Sequence, residues 1–244
     1  MKKIVSVALF GVMAITANSQ VSVKESLKQH YMNTYEQALK LNDLELAINS
    51  LNNALVEMPA EQSMLYKDTL SMLYFSNKAY LPSFILAQEV YKADPKNISA
   101  LARTGDCYQA GADYKNAVAA FEIVAPALKS PYYYYQLAVC QYSLKSSLES
   151  QVNADKAMAD TNSNKIPVIF TLPNGQEQQV PLSAAAYNLK GVIMMDDKNF
   201  VKAKEYFQSA LKIYPNFQGV QQNMITCEKN SKGIKPAVKP KTKG

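Results

Sequence analysis

Tryptophan is missing from this chain, histidine occurs once and cysteine three times. A single histidine, His30, with scattered cysteines leaves no Cys/His metal cluster and no histidine-centred triad. The odd cysteine count argues against a disulfide framework. Cys107, Cys140 and Cys227 read instead as small buried apolar residues. No glycine-rich phosphate loop, GxSxG or HExxH motif is present, so no cofactor, metal or enzymatic activity is expected. The paired carboxylates Asp196-Asp197 sit in a short polar break, the ordinary place for a solvated turn. The longest apolar run, 4–15, falls well short of the ~20 residues needed to span a bilayer. No integral membrane span is expected.

That run has another reading. It follows Lys2-Lys3 and precedes Thr16-Ala17-Asn18-Ser19-Gln20, the layout of a secretory signal peptide with small residues placed for cleavage before Gln20. Residues 1–19 are therefore read as a signal peptide, and the mature protein as periplasmic or secreted. The formal charge of +6 misdescribes the folded body. Two lysines fall in the leader and six more (Lys229, Lys232, Lys235, Lys239, Lys241, Lys243) near the end. The body between is near neutral, with no footprint for nucleic acid. Residues 230–244 have almost nothing to bury and read as a disordered Lys/Pro-rich tail. A weak contact of that tail with an anionic envelope surface is the alternative.

The most patterned stretch is 184–217. Two apolar periodic segments, 187–195 and 200–213, flank the polar break Asp196-Asp197-Lys198-Asn199. Each repeats apolar residues at i, i+3, i+4 and i+7, so each is a helix with one buried stripe. The short connection makes them antiparallel neighbours. Gly191 in a helix interior costs roughly 1 kcal/mol against Ala, which makes sense if the second helix crosses close by at Ala203. Tyr187, Gly191, Phe200, Ala203, Phe207, Ala210 and Pro215 stand at positions 4, 8, 17, 20, 24, 27 and 32 of this unit. That spacing resembles the tetratricopeptide (TPR) repeat.

Weaker copies precede it at 28–61, 64–97, 98–131 and 132–165. In these, Tyr35 is bulky at position 8, Ser83 replaces the usual Ala at position 20, and the second helix of the fourth copy is polar enough to expect loose packing. Between the fourth and fifth units, residues 166–182 lose the helical period and are rich in β-branched residues around Asn174-Gly175. Asn-Gly between such runs signals a type I′ hairpin, with Val168, Phe170 and Leu172 leaning on helices and Ser183 capping the next one. Residues 218–229 read as a terminal capping helix. The fold expected is an all-α TPR helical-hairpin solenoid over 20–229 with a capping helix and one inserted β-hairpin.

The resemblance implies a concave groove lined by the first helix of each unit, here through Met32, Met72, Phe75, Asp106, Tyr135, Tyr142, Asn188 and Met195. Such a groove implies a non-catalytic scaffold or adaptor that binds a partner protein or peptide, here in cell-envelope assembly or secretion. Position 5 of the units reads Met32, Asp68, Ala102, Tyr135, Asn188, which disfavours capture of a terminal carboxylate. Its apolar content suits an extended segment or a helix. The rival expectation is a glycan- or peptidoglycan-binding module using tyrosines as stacking platforms.

Overall fold

The computed structural model describes residues 23–233. The leader read at 1–19 lies outside them, as does the tail beyond Gly233. The described chain is all-α apart from one two-stranded antiparallel ribbon. It divides into two compact units, the boundary falling between Ala112 and Asp113.

The first unit holds α1 (23–40), α2 (Leu44–Glu57), α3 (Ala60–Ser76), α4 (Tyr80–Ala93) and α5 (Ile98–Ala110). Its core gathers Ala38, Ala47, Ile48, Leu51, Leu70 and Leu73, with Met32, Tyr35 and Tyr66 packed around them. These are the residues that the 3.6-residue period places on one face of each helix. Asp43 starts α2 by accepting from the Leu46 amide at 2.9 Å, and Asn97 starts α5 by accepting from the Ala100 amide at 2.9 Å.

The second unit holds α6 (Tyr114–Leu128), α7 (Pro131–Ser143), α8 (Ser147–Ala159), a 3-10 turn (Thr161–Asn164), β1 (Pro167–Thr171), β2 (Glu177–Pro181), α9 (Leu182–Asp196), α10 (Phe200–Ile213) and α11 (Gln218–Gly233). Its core runs from Ala138 and Ala154 through Val168, Val180, Leu182 and Ile193 to Phe207, Phe217, Val220 and Cys227. The last helix continues past residue 229 to Gly233, its final turn carrying a bond from Ser231 Oγ to the Glu228 carbonyl at 2.9 Å.

Helix-to-helix turns repeat one device. Asn42, Lys78, Lys145 and Lys198 each take a positive φ between 54° and 64°. The amide after each bonds five residues back, as from Asp43 to the Ala38 carbonyl (2.9 Å) and from Asn199 to the Met194 carbonyl (2.8 Å). This is the Schellman ending, which glycine usually serves. The chain has few glycines, and the next residue opens the following helix, so Asn and Lys take the left-handed position.

The close crossing at Gly191 is filled differently from the sequence expectation. Ala203 is fully buried, but the Phe207 ring is what covers the glycine. A Cβ on Gly191 would lie 2.9 Å from ring carbon Cζ and nearer still to Cδ1 and Cε1.

At the equivalent crossing of α3 and α4, serines replace the small apolar pair. Ser71 Oγ donates to the Ser83 carbonyl at 3.0 Å and Ser83 Oγ donates to the Ser71 carbonyl at 2.8 Å, both residues fully buried. At α7 and α8, Ser150 Oγ donates to the Ala138 carbonyl at 2.8 Å. Asn153 Nδ2 donates to Gln141 Oε1 at 2.8 Å. The polar character of α8 therefore does not loosen it. Its polar residues face α7 and are hydrogen-bonded there, which removes the desolvation penalty of burying them.

The hairpin pairs Pro167 with Pro181 through Thr171 with Glu177. Its turn is not type I′. Only Gly175 has a positive φ (82°), while Asn174 does not. The Gly175 amide bonds the Leu172 carbonyl at 2.8 Å and the Leu172 amide bonds the Gln176 carbonyl at 2.8 Å. This is a type I turn with Pro173 second, closed by a left-handed glycine bulge. Proline's fixed φ favours that second position and so decides the turn type. Ser183 does not cap α9, which starts at Leu182 behind Pro181 with no side-chain cap. Its hydroxyl donates instead to Asn164 Oδ1.

Candidate binding face

The candidate residues divide between the two units. In the first, Met32 on α1 is half-buried against the unit's core. Met72 on α3 is 49% exposed, and Leu65 on the same helix is 72% exposed. Phe75, half-buried, stands edge-on to Tyr80 at 5.4 Å. Asp106 is half-buried on α5. Between α3 and α5, Arg103 is paired with Asp68, both side chains largely covered. This ion pair joins the two first-of-hairpin helices.

In the second unit α7, α9 and α11 supply the corresponding side chains. Tyr135 and Tyr142 are seven residues apart on α7 and so share a face. Together with Tyr132, Val139, Val192 and Met195 they lie partly buried over the core cluster. Tyr142 Oη donates to Asp196 Oδ2 at 2.7 Å, joining α7 to the end of α9. Lys145 Nζ lies 5.5 Å from the centre of the same ring. Burial, and then the hydrogen bond and charge of Asp196, push the Tyr142 phenol up to about 12. Burial, and to a smaller degree Tyr132, hold the Tyr135 phenol well above its ordinary value.

Asn188 is not open to a partner in the way its repeat position implies. It is 5% exposed, and its Oδ1 accepts from Asn223 Nδ2 of α11 at 2.9 Å. The terminal helix covers it, as a further repeat would. Met195 stays half-buried at the rim beside Asp196. Tyr133 packs against Phe121 at 5.6 Å, and Tyr134 lies under Lys156 Nζ at 5.5 Å.

The sequence reading missed the polar links between successive repeats. Lys190 on α9 is 7% exposed, bonds Asp155 of α8, and places its ammonium 4.9 Å from the centre of the Tyr206 ring. Asp68 to Arg103, Asp155 to Lys190 and Asn188 to Asn223 all have the same separation of 35 residues. One repeat length plus one position brings such residues side by side, so complementary polar pairs at that offset were the available signal. Among the described residues, no group of His, Cys, Asp and Glu could hold a metal ion, and no helix is long and apolar enough to cross a membrane.

No curated protein matches the chain in sequence. A family model, described as tetratricopeptide repeat, matches residues 184–217. Among solved structures, MamA from Desulfovibrio magneticus RS-1 is similar with a TM-score of 0.63 at 15% identity, covering 79% of this chain and 97% of that one. A tetratricopeptide repeat protein from Parabacteroides merdae reaches 0.67 at 11% identity, covering 85% of this chain and 74% of that one. YrrB, a TPR protein with an unusual peptide-binding site, reaches 0.62 at 15% identity over 82% of this chain and 90% of its own. Residues 184–217 are thus a tetratricopeptide repeat, and the chain around them has the fold of tetratricopeptide-repeat proteins.

Proposed function

We propose that this chain is an exported, non-catalytic scaffold or adaptor that holds a partner protein or peptide against its first-of-hairpin helices, within the cell envelope. The observation that carries the reading is the α7–α9 face, where Tyr132, Tyr135, Val139, Tyr142, Val192 and Met195 all remain only partly buried. Aromatic side chains with incomplete burial give a partner apolar area at low entropic cost, and methionine adds an adaptable apolar surface. The exposed Leu65 and Met72 on α3 give the first unit a comparable surface of its own. YrrB supplies a precedent for peptide binding on this fold. Export rests on the leader pattern of 1–19, and the mature chain begins at Gln20 in this reading.

The test is affinity capture of the mature protein from its own envelope, with the Tyr142→Ala, Met195→Ala double variant alongside. The variant stays folded by circular dichroism and loses about 2 kcal/mol of affinity for the captured partner, as anchors of this kind do. Capture unchanged by the double variant removes this face from the binding role. Intact mass of the native protein reports the export step separately, and retention of Met1 refutes it.

A further inference from the structure

The repeat itself does not account for the inserted hairpin, and a single rung of that hairpin makes a concentrated set of contacts. Phe170 on β1 and Gln178 on β2 are cross-strand partners. They share the face that points toward the junction of α10 and α11. Gln178 Nε2 donates to the Asn216 carbonyl at 2.6 Å. Its Oε1 accepts from the Gln218 amide at 3.1 Å, satisfying one of the free N–H groups that open α11. Phe170 meets the fully buried Phe217 edge-on at 4.9 Å. It also lies flush on Gly219, where a Cβ would come within 2.9 Å of its Cζ and nearer still to Cε1. On the opposite face of the ribbon Ile169 is 60% exposed.

The other end of the hairpin is anchored before the repeat begins. The Leu182 amide donates to the Ile166 carbonyl at 2.8 Å. The Val168–Val180 rung is buried in the unit's core. The hairpin is thus fixed at the start of α9 and grips the chain again after α10. Between those points lies all of 184–217 but its last two residues, Asn216 and Phe217, which the hairpin itself touches. Beyond the grip, α11 carries Asn223, which closes over Asn188.

We infer that the hairpin is a strap that holds α11 onto α9 from outside the repeat, so that the Phe170–Gln178 rung controls whether Asn188 and the α9 edge of the binding face are covered. An isolated capping helix is marginal in water and depends on tertiary contacts for its order. Here those contacts include a rung that can let go without unfolding α9 or α10. Release uncovers the Asn188 amide, which is 5% exposed under Asn223. This inference concerns the molecule's own opening and does not depend on any partner being bound.

Hydrogen exchange by mass spectrometry on the full chain tests it. Gly219→Ala pushes against the Phe170 ring, whereas alanine on its own strengthens a helix. The strap therefore requires exchange in 218–233 to become ~10-fold faster in this variant, and helix propensity alone requires it to slow. Gln178→Ala, which removes the two hydrogen bonds without adding bulk, accelerates the same amides, and Ile169→Ala leaves them unchanged. Exchange in α11 that is unchanged or slower in both Gly219→Ala and Gln178→Ala overturns the inference. So does acceleration spread equally over α7, α8 and α9, which marks a general loss of stability.

Discussion

At the scale of single residues, Gly191 and Phe207 show how a repeat position acquires its chemistry. The glycine is required because an aromatic ring lies directly on its α-carbon. Gly191→Ala improves helix propensity by roughly 1 kcal/mol, yet the added methyl overpacks the crossing at a cost of ~1–3 kcal/mol. A net loss of stability in thermal unfolding is expected, and a gain refutes the contact. Tyr142 gives a pH signature. Its phenol is raised from 10.0 to about 12 in the folded state. The folded protein therefore keeps a proton that the unfolded chain releases, and the associated stability is intact below pH 10. It is lost as pH rises toward 12. Tyr135, displaced in the same direction, adds to this alkaline loss. Denaturant midpoints measured across that window fall less steeply in Tyr142→Phe than in the parent.

At the scale of elements, α8 is the instructive case. Its sequence is poor in apolar residues, with Ser150 and Asn153 on the face that turns inward. Their bonds to Ala138 and Gln141 make that face a polar seam in which every buried side-chain atom has a partner. Asn153→Ala leaves Gln141, 6% exposed, with an unmet acceptor. A loss of ~1–3 kcal/mol in denaturant unfolding is expected. Asn153→Ala combined with Gln141→Leu recovers much of it, because removing both polar partners is far less costly than orphaning one. A double variant as unstable as the single one would mean that the seam contributes shape and little hydrogen bonding.

At the scale of the whole chain, the three cysteines report on how well each unit is closed. Cys107 belongs to the first unit, Cys140 and Cys227 to the second, and all three are free and buried. Burial pushes the Cys107 and Cys227 thiols up, which lowers the thiolate fraction further. With a thiol reagent at neutral pH, the native protein therefore reacts slowly, and three equivalents are released once denaturant is added. A fast native phase of one equivalent at Cys107, or of two at Cys140 and Cys227, would show that one unit opens independently of global unfolding. The same experiment on Gln178→Ala shows whether the Cys227 thiol, which lies on α11 and donates to the Phe200 carbonyl at 3.4 Å, is freed with the helix.

What the sequence determined by itself was the local architecture. Hydrophobic period placed the paired helices, and Asn-Gly marked the hairpin. The spacing from Tyr187 to Pro215 identified the repeat, because seven constrained positions in one unit leave little freedom. Tertiary structure decided the rest, in each instance because a side chain's meaning depended on what faced it. Ser83, which looked like a departure from an apolar pattern, became half of a reciprocal bonded pair with Ser71. Asn188, which occupied a partner-facing repeat position, was covered by Asn223 of the terminal helix. Tyr135 and Tyr142 share one helical face by spacing, but only the fold brings Asp196 of α9 within 2.7 Å of the Tyr142 hydroxyl. The hairpin's grip on Asn216, Phe217, Gln218 and Gly219 joins segments distant along the chain, and only the folded core brings that rung to that turn.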